Sequence, residues 1–136
     1  MEKRITIGNR VISEDSPAFI IAEMSANHNM DFDRAVAIMQ AAKDADLSVI
    51  LWSVDPCDWD EAAWDGVLPT VLSEAHDGRI ILMHDLSAHS VTCALQAIDR
   101  LMAQGYEFCT VSQLAQLRGT ALAPGEVYTG FPPKDS

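Results

Sequence analysis

The sequence lacks any long hydrophobic run. No apolar stretch reaches the roughly 18 uninterrupted residues that a membrane-spanning helix needs, so we expect no membrane partner. The first residues contain no apolar segment long enough for a secretory signal, because the chain turns polar again at Gly8-Asn9. The sequence therefore predicts a cytoplasmic protein, and its 136 residues fit a single domain.

Basic residues are also scarce. The chain has 9 Lys and Arg against 20 Asp and Glu, which gives a formal net charge of −11 at neutral pH. Binding to a nucleic acid backbone depends on clustered cations that neutralise phosphates. The composition therefore excludes nucleic acid as an expected partner.

Cysteines are few, odd in number and lack CxxC spacing. Cys57, Cys93 and Cys109 suit neither a disulfide framework nor a zinc ribbon. Cys57 lies among acidic residues, whose negative charge disfavours the thiolate. A cysteine nucleophile is therefore not expected.

Apolar segments and helical patterns alternate along the chain. Gly8-Asn9 favours a short N-terminal hairpin between residues 3–7 and 10–12. The other predicted strands cover residues 18–24, 48–54, 79–83 and 107–111, and the predicted helices cover residues 31–44, 67–75, 90–102 and 112–118. This alternation is typical of βαβ units with a parallel sheet. We predict one α/β domain over residues 1–136, a partial (β/α) barrel of about four parallel strands preceded by the β-hairpin.

Ionisable residues follow three of the predicted strands. They are Glu23 and His28, Asp55 and Asp58, and His84 and Asp85. Ligands of such folds bind at the carboxyl ends of the strands. These residues are therefore the candidates for a site.

The chain before residue 47 resembles the start of the sialic and pseudaminic acid synthases. The similarity lies in residues 7–10 (IGNR), 17–23 (PAFIIAE) and 27–29 (NHN). Those enzymes are metal-dependent (β/α)8 barrels, and the resemblance implies that Glu23 faces a substrate pocket. The later strands of a synthase should follow residue 46 and do not, so synthase activity is not expected.

From about residue 48 to 131 the sequence resembles the C-terminal half of the polysaccharide deacetylase, or NodB-homology, family. The motifs are WSVDPCDW at 52–59, GRIILMHD at 78–85 and GYEFCTVS at 105–112. The resemblance implies that His84 is the general acid and that Asp58 orients it. It further implies a substrate pocket that Trp59 and Leu82 line, with Asp55 beside it, for an N-acetylated amino sugar.

The resemblance also implies a divalent metal, such as zinc, in the parent family. The Asp-Asp pair and His-x-x-x-His helix that supply the base and the metal ligands belong before the matching portion, and no His-x-x-x-His occurs in this chain. We therefore assign no metal ligands, expect no bound metal, and predict an incomplete deacetylase-like protein that is inactive alone. A half-barrel exposes sheet edges, so we also predict a homodimer through those edges.

Three alternatives remain. The chain could be a non-catalytic scaffold or binding module made from segments 1–46 and 47–136 of two barrels, or a fragment of a synthase. It could also be a working metalloenzyme in which Glu23, His28, Asp58 and His84 share one ion. His76 and His89 are expected to be surface residues, and Trp52 and Trp64 core or edge aromatics.

Overall fold

A computed structural model describes residues 5–7, 10–12 and 30–133. Strand β1 (Ile5–Ile7) pairs with β2 (Arg10–Ile12) in an antiparallel hairpin, as the Gly8-Asn9 dipeptide predicts. The predicted strand at 18–24, together with Glu23 and His28, lies outside the described residues.

Helix α1 (Phe32–Asp44) begins where the sequence predicts. The Asp31 carboxylate accepts the Arg34 N–H at 3.0 Å and so caps the helix. Four of its apolar residues are half-buried, whereas Phe32 and Val36 are exposed, and none of its residues is fully buried. These half-buried positions are Ala35, Ile38, Met39 and Ala42.

The described part of the sheet is smaller than the sequence predicts. Strand β3 (Val49–Ile50) pairs in parallel with β4 (Val127–Tyr128), and a single parallel bridge joins Val54 to Ile81. The segments at 48–54 and 79–83 thus lie side by side, but only short parts of them form ladder hydrogen bonds. The α/β class is confirmed, whereas the partial (β/α) barrel of about four parallel strands stays a prediction.

The prediction of a strand at 107–111 is wrong. Residues 106–110 are irregular, and the tail provides β4 instead. Val49 N–H donates to the Glu126 carbonyl and Leu51 N–H to the Tyr128 carbonyl, so the tail satisfies this edge of β3. Strand formation depends on such a partner, which local sequence does not reveal.

Two helices pack over the sheet and form the core. Helix α2 (Trp64–Glu74) follows a short 3₁₀ turn at Glu61–Ala63, and α3 (Ala88–Ala103) ends before Gly105. The short helix α4 (Val111–Leu117) begins at a Thr110–Gln113 capping box. The buried cluster consists of Val71, Ala75, Ala97 and Leu101, with Ile81, Met83 and Tyr106 packed against it.

Candidate acid site at His84 and Asp58

The turn after Val54 directs Asp58 into the protein. The Asp55 carboxylate accepts the Cys57 N–H at 3.0 Å, and Cys57 adopts a left-handed conformation with a φ of 54°. Such self-bonding by an Asp side chain is typical of tight turns. The turn ends at Asp58, whose side chain is completely buried.

Asp58 holds His84 with both of its carboxylate oxygens. Oδ2 accepts the backbone N–H of His84 at 2.8 Å, and Oδ1 lies 2.7 Å from Nδ1 of the ring. An ionised carboxylate only accepts, so the ring nitrogen Nδ1 carries a proton. The pair therefore fixes both the orientation and the tautomer of the imidazole.

The contacts with His84 also explain the acidity of Asp58. Burial raises the pKa of its carboxyl group, but the hydrogen bonds from the ring and the backbone N–H of His84 outweigh this effect and hold the pKa below its ordinary value. Asp58 is therefore a carboxylate at neutral pH, and it stays buried because His84 satisfies it.

The outer edge of His84 faces solvent. About 30% of its side chain is exposed, and Nδ1 is occupied by Asp58. Nε2 is the ring nitrogen that a ligand can reach. With Nδ1 protonated, Nε2 can accept a proton or, in the imidazolium form, donate one.

The other predicted site residues near Asp58 and His84 in the sequence differ in how far they are exposed to solvent. Trp59 is exposed over 59% of its surface, and Leu82 is half-buried in the segment that leads to His84. Asp55 is exposed and engaged with the Cys57 N–H. The structure thus brings Asp58 and His84 into contact, whereas Glu23 lies outside the described residues.

The cysteine of this turn is not activated. Desolvation and the neighbouring Asp55 carboxylate raise the pKa of the Cys57 thiol above its ordinary value. This agrees with the expectation that Cys57 is not a nucleophile.

Sequence reasoning missed the residues behind the turn. The backbone carbonyl of Asp58 accepts Trp64 Nε1–H at 3.2 Å and the Ser90 hydroxyl at 3.0 Å. The prediction that His89 is a surface residue is wrong, because it is half-buried and stacks on Trp64 with ring centroids 4.6 Å apart. His76 is exposed, as predicted. Trp64 and Ser90 each lie in the first turn of a helix, so an accurate prediction of the two helix starts could have revealed these contacts.

The described residues do not fit a metal ion. Between residues 30 and 133, no three His, Cys, Asp or Glu side chains lie close enough together to hold one. Both oxygens of Asp58 already accept N–H groups from His84, so these two proposed ligands bind each other. We derive no chemical step through a metal. The hypothesis of an ion shared with Glu23 and His28 stays a prediction.

Within the described ranges, no helix is long and apolar enough to cross a membrane. Two of the surface cavities in this part of the chain do not include His84. The larger, of about 250 Å³, is lined by residues of the tail and of the turn at Asp77–Arg79.

Comparison with known proteins finds similarity to deacetylases. The chain is 40% identical over 72 residues to the peptidoglycan-N-acetylmuramic acid deacetylase PdaC of Bacillus subtilis, covering 53% of this chain and 15% of that protein. It is 32% identical over 87 residues to a peptidoglycan-N-acetylglucosamine deacetylase of Bacillus cereus, covering 60% of this chain and 41% of that protein. No family model matches the chain.

A solved structure gives the same result. The structure of T48 deacetylase with substrate superposes with a TM-score of 0.56 at 34% identity, covering 63% of this chain and 43% of that one. The resemblance of the C-terminal part to deacetylases is therefore confirmed, and the chain is a deacetylase-like protein in that part. It spans less than half the length of each of these relatives, and nothing in the comparisons supports the synthase-like N-terminal segment.

Proposed function

We propose that this chain carries the acid half of a polysaccharide deacetylase site, with His84 as the proton donor and Asp58 as the residue that orients it. The observation that carries the proposal is the double contact of the buried Asp58 carboxylate with the ring and the backbone of His84. This arrangement leaves Nε2 directed outward as the group that exchanges a proton.

The chemistry follows from the amide bond of an N-acetyl group. When its C–N bond breaks, the amine nitrogen is a poor leaving group unless it receives a proton. The His84 imidazolium donates the proton from Nε2 to that nitrogen. The neutral ring keeps its other proton on Nδ1, which donates it in a hydrogen bond to the Asp58 carboxylate. We propose that the base that activates the attacking water lies outside the described residues.

An N-acetylated amino sugar is the proposed ligand. The similar proteins are deacetylases of peptidoglycan amino sugars by name. Trp59 offers an exposed aromatic face next to Asp58, and aromatic faces suit the apolar side of a sugar ring. Leu82 supplies an apolar surface on the segment that ends at His84.

Binding tests this proposal independently of turnover. Titration with an N-acetylglucosamine tetramer should shift the NMR signals of the Trp59 indole and the His84 ring, and His84→Ala should weaken binding less than Trp59→Ala. His76→Ala, which changes an exposed histidine elsewhere, is the matched control. Unchanged signals at millimolar tetramer would contradict the proposed ligand.

Turnover tests the incomplete site. We expect the chain to release no acetate from the same tetramer, with or without added zinc. Release that His84→Ala abolishes and His76→Ala does not would show that the chain completes a metal site with further residues. That outcome would overturn the proposal of a half-site.

A second candidate, assembly or scaffolding, is favoured by an exposed apolar stripe on α3. Its members recur every three or four residues, the spacing of a helix–helix contact: Val91, Leu95, Ile98 and Met102. We propose that the chain forms a homodimer. Contact through the sheet edges, a single domain built from segments 1–46 and 47–136, and a cytoplasmic location all stay predictions.

A further inference from the structure

Two helices converge on the backbone of the residue that orients His84. The carbonyl oxygen of Asp58 accepts one hydrogen bond from Trp64 Nε1 at 3.2 Å, and another from Ser90 Oγ at 3.0 Å. Trp64 is the first residue of α2 and Ser90 lies in the first turn of α3. Both lone pairs of this carbonyl are therefore occupied, although it belongs to a turn and not to a sheet or helix.

Both donors are held in place by further contacts. The Trp64 ring stacks on His89 at an interplanar angle of 12°, and Nε2 of His89 lies 3.2 Å from the Trp64 carbonyl. Ser87 Oγ accepts the Ser90 N–H at 3.0 Å and lies 3.0 Å from Ser90 Oγ. Because the single Ser90 hydroxyl proton is directed to Asp58, Ser87 is the donor between the two hydroxyls.

The residues on either side of Asp58 in the turn have weaker support. Asp55 and Trp59 are exposed, and Cys57 holds a left-handed conformation that costs a non-glycine residue energy. Without the two bonds to its carbonyl, the Asp58 peptide can rotate about the turn. Rotation would move the carboxylate relative to the ring and the backbone N–H of His84, and the double contact needs both oxygens in place.

We propose that Trp64 and Ser90 are positioning residues, which clamp the Asp58 carbonyl and thereby aim its carboxylate at His84. They act on the ring only through Asp58. The catalytic meaning of the clamp rests on the proposed function, but its effect on the imidazole does not.

The Nδ1 proton of His84 reports the clamp directly. In the folded chain, this proton is shared with Oδ1 of Asp58 and should give a slowly exchanging signal far downfield in the ¹H spectrum. Trp64→Phe keeps an aromatic ring against His89 but removes the N–H, and Ser90→Ala removes the hydroxyl. Loss of either bond should speed exchange of the Nδ1 proton roughly tenfold, since the free energy of about one hydrogen bond corresponds to a change of that size.

Matched variants separate the clamp from general loosening. Trp52→Phe changes a partly exposed tryptophan, and Ser73→Ala removes a hydroxyl that donates to the Thr70 carbonyl within α2. Both should leave exchange at His84 unchanged. Thermal unfolding of each variant shows whether it is folded, and Ser90→Ala decides the question if Trp64→Phe does not fold.

The outcomes are distinct from those of the sugar titration. Faster exchange in folded Trp64→Phe or Ser90→Ala, with unchanged controls, supports the clamp even where no sugar binds. Exchange as slow as in the native chain in both folded variants overturns it. Equal acceleration in Trp52→Phe and Ser73→Ala overturns it as well, because the effect would then be unspecific.

Discussion

At the scale of single residues, Asp58 shows how a buried charge is tolerated. Its side chain has no exposed surface, and no Lys or Arg among the described residues forms an ion pair with it. Uncompensated burial of a carboxylate is costly, so charged groups inside proteins are paired or hydrogen-bonded. Both N–H donors to Asp58 belong to His84, so the buried charge of Asp58 depends on the position of His84.

Asp58→Asn should destabilise the chain by about 2 kcal/mol near neutral pH, the range expected for hydrogen bonds to a charged group. The amide of Asn can accept only one of the two N–H groups and directs its own N–H₂ toward the other. Urea unfolding of both chains measures the difference. Asp99→Asn, an exposed position on α3, should cost little in the same experiment.

The destabilisation should depend on pH. The pKa of Asp58 is lower in the folded chain than its ordinary value of 3.8, so the stability from its charge is complete above that value. It is lost as the pH falls through the lower pKa of the folded state. The gap in unfolding free energy between the native chain and Asp58→Asn should therefore narrow below about pH 4. A gap that widens on acidification would contradict this assignment.

Gly78 marks a close approach of two backbone segments. It has a φ of 84°, and an added Cβ would overlap the carbonyl of Phe131, whose N–H donates to the Gly78 carbonyl at 2.7 Å. Gly78→Ala should therefore destabilise the chain by more than about 1 kcal/mol. Gly66→Ala, in α2 with no atoms near the new methyl, should stabilise it by about 0.5–1 kcal/mol. Equal thermal shifts in the two variants would contradict the contact with the tail.

At the scale of elements, the helices and the N-terminal hairpin could be predicted from local sequence, whereas the pairing of β3 with β4 could not. Asp31 caps α1 as expected, because capping and apolar periodicity act within one or two turns. The segment at 107–111 has strand-like residues but pairs with no other described segment, whereas Val127 and Tyr128 lie in a tail rich in turn residues and pair with β3. Pairing between positions about 78 residues apart is decided by the tertiary fold.

The sequence likewise predicted only some of the residues of the candidate site. The motifs marked Asp58 and His84, and the structure brings the two into contact. Trp64 and Ser90 were missed, because their role depends on where two helices begin, and the sequence predicted a later start for both helices. The sequence predicted a helix from residue 90, but Ser87 caps α3, and this earlier start places the Ser90 hydroxyl on the Asp58 carbonyl.

Ser87→Ala should therefore have two effects. It removes the cap of α3, where the hydroxyl accepts the Ser90 N–H, at a cost of about 1 kcal/mol. It also removes the donor to Ser90 Oγ and should loosen the contact with Asp58. Thr92→Ala, whose hydroxyl bonds the Ala88 carbonyl in the exposed part of the same helix, is the control. Equal unfolding free energies for the two variants would contradict the capping role of Ser87.

At the scale of the whole molecule, the chain covers 43% of the solved T48 deacetylase chain.

Helix α3 has two apolar faces. One packs on α2, and the other, the stripe Val91, Leu95, Ile98 and Met102, is exposed. Beside the stripe lies an apolar groove of about 190 Å³ that Ile81, Met83 and Phe108 line. Exposed apolar stripes of this kind mark surfaces that bind another chain.

The stripe is compatible with a two-fold partner. Its 4-3-4 spacing is that of a coiled-coil seam, and in an antiparallel pair centred between Leu95 and Ile98 the flanking Asp99 would meet Thr92 of the second copy. No like charges would then face each other along the seam. A dimer could form there despite the net charge of −11.

Light scattering decides whether the dimer exists and which surface forms it. The native chain should have twice the mass of a single chain, and Leu95→Glu should reduce it to the monomer because it places a charge at the centre of the stripe. Gln96→Glu, one residue along on an exposed polar position of α3, should leave the dimer intact. A dimer that survives Leu95→Glu would exclude the stripe as the contact surface, and a monomeric native chain would overturn the homodimer altogether.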